Sequence, residues 1–472
     1  MRVDAVWRKA WVVFLVLTLM ALVVRLAWLG RKSMWLDEVY SLNRALLSVT
    51  QIVETQGDPH PPLFYVGLHY WLVFGHDEFT LRLPSAMWGA VSVGLIYLLG
   101  KRWAGTWTGI AFAILLAIAP IHVWFSQEAR MYAASCTLGL MAVWLLSEAI
   151  ATGRWIAWAG WIVATVLGLY THYLTLVLLL IELVLFGPVC YWLGVLRRRM
   201  LSGTLALVGV MILYAPWFQR LGGELGRVVD GVLWYFTPVS GMLATSGAHV
   251  TARQLFNVAM VASLIGVVLL LLLSWKVVSA WKQRTFSPGM SIATAMILLY
   301  AIALVASVWP KGYSLRRQVL IFFPYFLVMV AWSISGLGQR NVLMGGLVAI
   351  TIPFLAGNLV LTQQQDWRSL ARFMEQQALP EDVILFSAPY YSICLDYYYR
   401  GSVERAGVAP TDVPSRLFKL TQARAHVWLI LIGEEYTDPG STIPTWLDAQ
   451  RRLTGEHKFV GIRVRLYGAT TG

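Results

Sequence analysis

Long apolar runs separated by short polar loops fill the first three quarters of the chain. A membrane-spanning helix needs about 20 predominantly apolar residues. Runs of that length, or close to it, fall at residues 8–30, 83–100, 106–124, 131–150, 155–171, 174–195, 203–219, 256–275, 290–309, 318–337 and 342–361. The pattern therefore predicts an all-α polytopic membrane domain of about eleven transmembrane helices.

The pattern changes after residue 361. A helical periodicity at 366–377 is followed by short apolar runs that are typical of strands. These runs are Val383 to Phe386, Val427 to Ile432 and Phe459 to Leu466. Helical stretches lie between them, and this alternation predicts a small α/β domain. We expect two domains: a membrane domain of residues 1–361 and a water-soluble domain of residues 362–472.

The membrane domain has a long first loop, residues 31–82. Within it, the segment Val39 to Val53 is a candidate interfacial helix. A Pro-rich stretch follows that segment. The loop is therefore expected to hold structure of its own at the membrane surface.

The composition agrees with the membrane class. Hydrophobic residues make up 58% of the chain and charged residues only 13%, whereas about a quarter of the residues in a soluble domain are charged. The net charge of +13 raises the question of nucleic-acid binding. The basic residues, however, stand in short clusters between apolar runs, such as Arg197 to Arg199, which is typical of cytoplasmic loops. We therefore expect membrane lipids, and no nucleic acid, as partners.

The distribution of basic residues predicts the orientation. With the N-terminus in the cytoplasm, the cytoplasmic loops hold most of the Lys and Arg residues, and the opposite loops are richer in Asp and Glu. An excess of basic residues in short loops marks the cytoplasmic side. With an odd number of helices, the C-terminal domain is then extracytoplasmic, in a multi-pass protein of the plasma membrane.

Two adjacent carboxylates, Asp37 and Glu38, follow the predicted first helix in the sequence SMWLDEVYS. Trp35 and Leu36 keep them partly away from water, a setting that suits a general base or a cation ligand. Acidic residues are also common at the start of a helix, where the helix dipole favours negative charge. On these residues alone, both interpretations stay open.

Two further outer segments carry groups that suit phosphate chemistry. In DPHPPLFY, prolines stiffen the backbone and present His60 on a rigid arm. In SQEARMY, Glu128, Arg130 and Tyr132 lie at the membrane boundary, where a charge is costly and suggests function. A re-entry turn at His60 and a local pair of Glu128 with Arg130 are the simpler alternatives.

Two other outer segments complete the set. His172 and Tyr173 form a short turn, and the sequence KGYSLRR holds Lys311, Arg316 and Arg317. These basic residues oppose the positive-inside trend, which an anionic ligand explains better than topology does; lipid headgroups are the alternative ligand. All the segments share the outer face, where one cleft could gather them.

The run SMWLDEVYSL, followed by HPPLFY and SQEARMY, resembles the GT-C membrane glycosyltransferases. The likeness is to the bacterial branch, which is similar to protein O-mannosyltransferases and lipid A aminoarabinose transferases, and it covers the whole chain. It implies a polyprenyl-phosphate-linked monosaccharide as donor and a hydroxyl group of a protein, lipid or glycan as acceptor. The WWDYG sequence of oligosaccharyltransferases of this class is not found, which disfavours that branch.

The resemblance also implies roles for single residues. Asp37 matches the acid of the family's DE motif, the general base of an inverting transfer, with Glu38 in support. His60 and Arg317 match positions that the family links to the donor phosphate. From their own chemistry and predicted outer position, Glu128 is the next catalytic candidate, and Arg316, Arg130 and Lys311 are further predicted donor-phosphate ligands. The predicted substrate contacts are Tyr40, Tyr132, His172 and Tyr173.

No cofactor is certain. A donor that already carries a good leaving group needs no nucleotide, and a divalent metal near Asp37 or Glu128 stays open because no ligand set is visible. Two non-enzymatic hypotheses also remain. One is a lipid flippase or transporter whose outer acids bind a coupling ion, and the other is a membrane scaffold whose C-terminal domain binds a partner. Transporters usually show paired halves and broken helices, and neither is plain in the sequence.

Overall fold

The structure is a computed structural model of the chain. It describes residues 2–54, 60–218, 220, 319–325, 327, 334–335, 338–360 and 365–468. The chain forms two compact units. Unit 1 comprises Met1–Ala27, Leu47–Val73 and Arg82–Val360, and unit 2 comprises Trp28–Leu46, Phe74–Leu81 and Leu361–Gly472. Two segments from the region of the first loop therefore group with the C-terminal part of the chain.

Helices dominate the described part. In chain order they are α1 (Arg2–Leu26), α2 (Leu36–Ala45), α3 (Val49–Glu54), α4 (Leu63–Trp71), α5 (Glu78–Ala104), α6 (Thr106–Ile118), α7 (Pro120–Ser126), α8 (Tyr132–Thr152), α9 (Trp155–Thr171), α10 (Leu174–Trp192), α11 (Leu196–Tyr214), α12 (Arg340–Val360), α13 (Trp367–Gln377), α14 (Ser392–Tyr398), α15 (Ser415–Thr421), α16 (Glu434–Thr437) and α17 (Thr442–Gln450). Short 3-10 helices lie at Leu72–Phe74, Ala215–Trp217, Val319–Phe322, Pro389–Tyr391 and Pro410–Asp412.

Six of the described helices, α1, α5, α8, α10, α11 and α12, are long and apolar enough to cross a membrane, and the pair α6 and α7 brings the number to seven if it forms one span. The prediction of a polytopic helical membrane protein is thus confirmed. The count of about eleven is not confirmed, because the predicted helices at 256–275 and 290–309 and half of the predicted helix at 318–337 lie outside the described residues.

The apolar run at 106–124 is interrupted, which the sequence analysis did not predict. Helices α6 and α7 meet at a bend of 61°, and Pro120 is the first residue of α7. Proline has no backbone N–H, so it cannot donate to the carbonyl four residues earlier, that of Leu116. The guanidinium of Arg25 supplies donors there instead, 3.3 Å from the carbonyl oxygens of Leu116 and Ala117.

The segment Val39 to Val53, predicted as one helix, is divided between α2 and α3. Ser48 and Gln51 explain the break, because they form a reciprocal cap at the start of α3. The Gln51 side chain accepts from the Ser48 N–H at 3.0 Å, and the Ser48 hydroxyl accepts from the Gln51 N–H at 3.3 Å.

The C-terminal part of unit 2 is built on a five-stranded mixed sheet. The strands are β1 (Val383–Phe386), β2 (Glu404–Gly407), β3 (Val427–Leu431), β4 (Leu453–Phe459) and β5 (Ile462–Tyr467). Their order is β2-β1-β3-β5-β4. β1 is parallel to β2 and β3, and β5 is antiparallel to β3 and β4.

Helices cover both faces of this sheet. Leu417 of α15 and Ile443 of α17 pack in one core with alternate residues of β1 and β3. Trp428 points to the opposite face, where its ring lies 5.8 Å from that of Phe373 in α13. The predicted sheet in the C-terminal part is confirmed. The predicted last strand, Phe459 to Leu466, instead crosses a hairpin turn, where Gly461 has a φ of 68° that favours glycine.

Candidate active site

The acidic pair lies in the first turn of α2, in unit 2. Glu38 is only 1% exposed, and its carboxylate accepts a hydrogen bond from the Trp35 N–H at 3.4 Å. Glu38 therefore caps the helix, the simpler role left open for the pair. Asp37 is half-buried, and its backbone carbonyl accepts from the Ser41 hydroxyl at 2.9 Å. Tyr40, on the next turn, is exposed.

Asp37 lies within electrostatic reach of α14 and the residue before it. Burial raises the pKa of the Cys394 thiol, and the charge of Asp37 raises it further. Burial also raises the pKa of Tyr391, again with a smaller contribution from Asp37. The surroundings of Asp37 in unit 2 thus include a neutral thiol and a neutral phenol.

In unit 1, the segment between α7 and α8 holds the next two candidates. Arg130 is 3% exposed; its guanidinium donates to the Tyr65 hydroxyl at 3.3 Å and lies 5.8 Å from the centre of the Tyr132 ring. Glu128 is also buried and accepts from the Trp124 indole N–H at 2.6 Å. The two side chains are therefore held in a largely aromatic setting.

His172 lies beside this arginine, in the turn between α9 and α10. Its ring centre is 5.8 Å from that of His60 and 6.1 Å from that of Tyr132. Burial, followed by the charges of His60 and Arg130, lowers the pKa of His172 to about 3. His172 is therefore neutral near pH 7.

The hydrogen bonds of His172 assign its tautomer. Nδ1 accepts from the Leu174 N–H at 3.1 Å, so the proton of the neutral ring is on Nε2. This buried Nε2 has no hydrogen-bond partner among the residues that the structure describes. A buried donor of this kind normally pairs with an acceptor, so it is suited to a ligand oxygen.

The fold brings together some of the predicted residues. His60, Arg130, Tyr132 and His172 form one group in unit 1, which we call the Arg130 cluster. Glu128 lies in the same segment as Arg130, and the Tyr173 hydroxyl accepts from the Trp217 indole N–H at 3.3 Å. The remaining phosphate candidates, Lys311, Arg316 and Arg317, lie outside the described residues.

The described ranges of the chain contain no group of three or more His, Cys, Asp or Glu side chains that could hold a metal ion. Within those ranges, the divalent metal that the sequence left open near Asp37 or Glu128 therefore gains no ligand set.

Arg25 was not among the residues predicted from the sequence, although an arginine inside an apolar run is a signal of function. Arg25 is fully buried and donates to His122 Nδ1 at 2.9 Å. His122 Nε2 is 3.1 Å from the Ser92 hydroxyl, which donates in turn to the Gly89 carbonyl at 2.8 Å.

The same network extends to the segment of Glu128 and Arg130. The Gln127 side-chain amide donates to the carbonyls of Arg25 and Ala27, at 2.9 Å each. Together with the bonds of the Arg25 guanidinium to Leu116 and Ala117, these contacts join the end of α1 to both ends of α7. We therefore interpret Arg25 as a residue that positions α7.

One family model matches this part of the chain. Residues 59–215 match the model of the dolichyl-phosphate-mannose-protein mannosyltransferase family. The matched segment contains the whole Arg130 cluster and Glu128, whereas Asp37 precedes it. No curated protein matches the sequence.

Solved structures show the same fold. ArnT from Cupriavidus metallidurans in the apo state is 14% identical, with a TM-score of 0.57 over 97% of this chain and 98% of the other. The same protein bound to undecaprenyl phosphate gives 15% identity and a TM-score of 0.55, with the same coverage. The archaeal oligosaccharyltransferase AglB from Archaeoglobus fulgidus gives 11% identity and a TM-score of 0.56, covering 98% of this chain and 75% of the other.

The resemblance to GT-C membrane glycosyltransferases that the loop motifs predicted is therefore confirmed. The chain is a multi-pass membrane protein with this fold, similar to the dolichyl-phosphate-mannose-protein mannosyltransferases over residues 59–215.

Proposed function

We propose that the protein transfers a monosaccharide from a polyprenyl-phosphate donor to an acceptor hydroxyl on the extracytoplasmic side of the plasma membrane. The observation that carries the proposal is that the Arg130 cluster, with Arg130 itself buried, falls within the segment that matches the mannosyltransferase family. Burying a guanidinium in a membrane protein is costly, and binding an anionic ligand offsets that cost.

The donor phosphate is proposed to bind Arg130. A guanidinium matches two phosphate oxygens at once, so it provides geometry as well as charge. The neutral His172 adds the Nε2–H donor described above, and His60 and Tyr132 line the same cluster. Arg317, Arg316 and Lys311 remain proposed ligands on their predicted outer position. Arg317 ranks first because it alone also has the family resemblance.

Asp37 is proposed as the general base. Its carboxylate takes the proton of the acceptor hydroxyl while the acceptor oxygen forms a bond to the anomeric carbon of the sugar. The bond between that carbon and the phosphate oxygen breaks, and polyprenyl phosphate leaves with the electron pair. A single displacement of this kind inverts the anomeric centre. Glu38 then supports the base by capping the helix that carries it.

The transporter hypothesis gains one observation, because a broken helix is common in transporters and α6 and α7 form one. The carbonyls of Leu116 and Ala117 at this break are, however, occupied by Arg25. A break filled by a protein side chain is not an open ion site. The glycosyltransferase proposal therefore stays ahead.

Mass spectrometry of lipids that co-purify with the full-length protein tests the donor. A bound polyprenyl-phosphate sugar would support the proposal and identify the sugar. Turnover is then measured with that radiolabelled lipid and a membrane extract as acceptor source. Time-dependent appearance of free polyprenyl phosphate together with labelled acceptor is expected. Movement of the intact lipid across sealed vesicles without cleavage would instead establish a flippase.

A further inference from the structure

The segment that leads into α2 is bound to the C-terminal part of unit 2. The Tyr398 hydroxyl, at the end of α14, accepts a hydrogen bond from the Met34 N–H at 2.7 Å. The same hydroxyl donates to the Glu78 carboxylate, also at 2.7 Å. One phenol thus joins the residue three positions before Asp37 to the second loop segment of unit 2.

Arg368 of α13 holds the residues just before this point. Its guanidinium donates to the carbonyls of Gly30 and Arg31, at 3.2 Å each, and forms an ion pair with Glu78. The Arg368 N–H also donates to the Ser33 hydroxyl at 3.2 Å. Gly30, Arg31, Ser33 and Met34 are therefore each hydrogen-bonded to α13 or α14.

Helix α2 itself packs on α14. Met34 and Cys394 of α14 are both fully buried. The charge of Asp37 contributes to the raised pKa of the Cys394 thiol, after burial. The backbone that carries the Asp37 carboxylate is thus fixed before the helix by Tyr398 and Arg368, and along the helix by α14.

We propose that the C-terminal part of unit 2 holds the candidate base in position, with Tyr398 and Arg368 as positioning residues for Asp37. This inference rests on the proposed function. A displacement of about 1 Å in a reacting group can lower a rate by about 100-fold. A contact that fixes the start of a catalytic helix therefore controls kcat without touching the substrate.

The test uses Tyr398→Phe in the full-length protein, which keeps the ring and removes the hydroxyl. We expect kcat to fall about 10- to 100-fold, the range of a loss in positioning, with the KM for the donor unchanged. Tyr399→Phe is the matched control, because Tyr399 is the next residue and its ring contacts Arg405 of β2 at 5.3 Å. It should retain the wild-type kcat. Arg368→Lys should resemble Tyr398→Phe in direction.

A double variant separates positioning from general damage. If Tyr398 acts through Asp37, adding Tyr398→Phe to Asp37→Asn should cause no further loss, because the base is already absent. The inference would be overturned if the fold-losses in kcat of the two single variants multiply in the double variant, or if the kcat of Tyr398→Phe equals that of wild type.

Hydrogen–deuterium exchange gives a readout that does not need turnover. Faster exchange at Met34 to Glu38 in Tyr398→Phe, but not in Tyr399→Phe, is expected. Unchanged exchange in Tyr398→Phe would show that Tyr398 does not hold this segment, whatever the activity. If the wild-type protein never cleaves the donor but exchange in Tyr398→Phe is faster as expected, the proposed function is refuted and the positioning role of Tyr398 stands.

Discussion

The Met34 N–H and the Tyr398 hydroxyl are hydrogen-bonded at 2.7 Å, although 364 positions separate them in the chain. Through this bond the acidic motif at the start of α2 becomes part of the same compact unit as the C-terminal sheet. The C-terminal part of the chain thereby gains a role in the proposed chemistry. It holds the backbone of the candidate base, and the Arg130 cluster is built separately, from the helices of unit 1.

The first prediction concerns Asp37. The change Asp37→Asn keeps the shape of the side chain and removes its basicity, so transfer should fall about 100-fold or more. Glu38→Gln should cost less, because glutamine can still accept from the Trp35 N–H and cap α2. Initial rates with the co-purified donor lipid check both. Wild-type turnover by Asp37→Asn would move the base elsewhere, and Glu128 would be the next candidate.

The second prediction concerns the donor phosphate. Arg130→Ala should weaken donor binding about 10- to 100-fold, since a hydrogen bond to a charged group contributes about 1.5–3 kcal/mol. Arg130→Lys should restore only part of this, because lysine lacks the planar fork. Arg372→Ala, at an exposed position on α13, is the control. Affinity is measured in nanodiscs.

Arg317 is tested in the same assay. Arg317→Ala should also weaken binding of the donor, and Arg317→Lys should partly restore it. An unchanged affinity in Arg317→Ala would mean that this charge serves lipid headgroups instead.

The sequence was sufficient for the features that depend on local pattern. The helix at 366–377, the strand Val383 to Phe386 and most of the described spans follow from periodicity and length, and the loop motifs carried the resemblance. It was not sufficient for features that depend on long-range contact. Nothing near Tyr398 indicates that its hydroxyl pairs with Met34. The bend at Pro120 was missed because the apolar run continues through it, although proline and the isolated charge of Arg25 were both visible.

The third prediction concerns orientation. The N-terminus should be cytoplasmic and residues 370–470 extracytoplasmic, because basic loops mark the cytoplasmic side. A protease added to sealed vesicles of known sidedness checks this. Cleavage within 370–470 should occur only when the protease is on the extracytoplasmic face. Cleavage within 370–470 by protease on the cytoplasmic face would show that the topology is the reverse of the predicted one, with the proposed chemistry on the cytoplasmic side.

The fourth prediction concerns acid stability. The pKa of His172 is about 3 in the folded protein, against an ordinary value of 6.5. As the pH falls below 6.5, the unfolded state binds a proton that the folded state does not, so this residue lowers stability progressively from about pH 6.5 towards pH 3 and has no such effect above that window. His172→Gln should therefore lose less stability than wild type between pH 7 and pH 4. Thermal unfolding in detergent measures it, and parallel losses in the two proteins would refute the assignment.

The fifth prediction concerns Arg25 and the bend between α6 and α7. Arg25→Ala removes the donors to the carbonyls of Leu116 and Ala117 and to His122. Each buried polar group left unsatisfied costs about 1–3 kcal/mol, so the unfolding midpoint should fall clearly.

A second change, at Pro120, tests whether the missing backbone N–H is what makes the Arg25 donors necessary. Pro120→Ala restores a backbone N–H that can reach the Leu116 carbonyl, so it should recover part of the stability lost in Arg25→Ala. In the wild-type background the same change competes with Arg25 and should bring little gain. Arg102→Ala, which removes a partly exposed partner of Glu148, should cost less than Arg25→Ala because exposed ion pairs contribute about 0–1 kcal/mol. Strict additivity of Arg25→Ala and Pro120→Ala would contradict the account, since the two residues are argued to act on the same carbonyl.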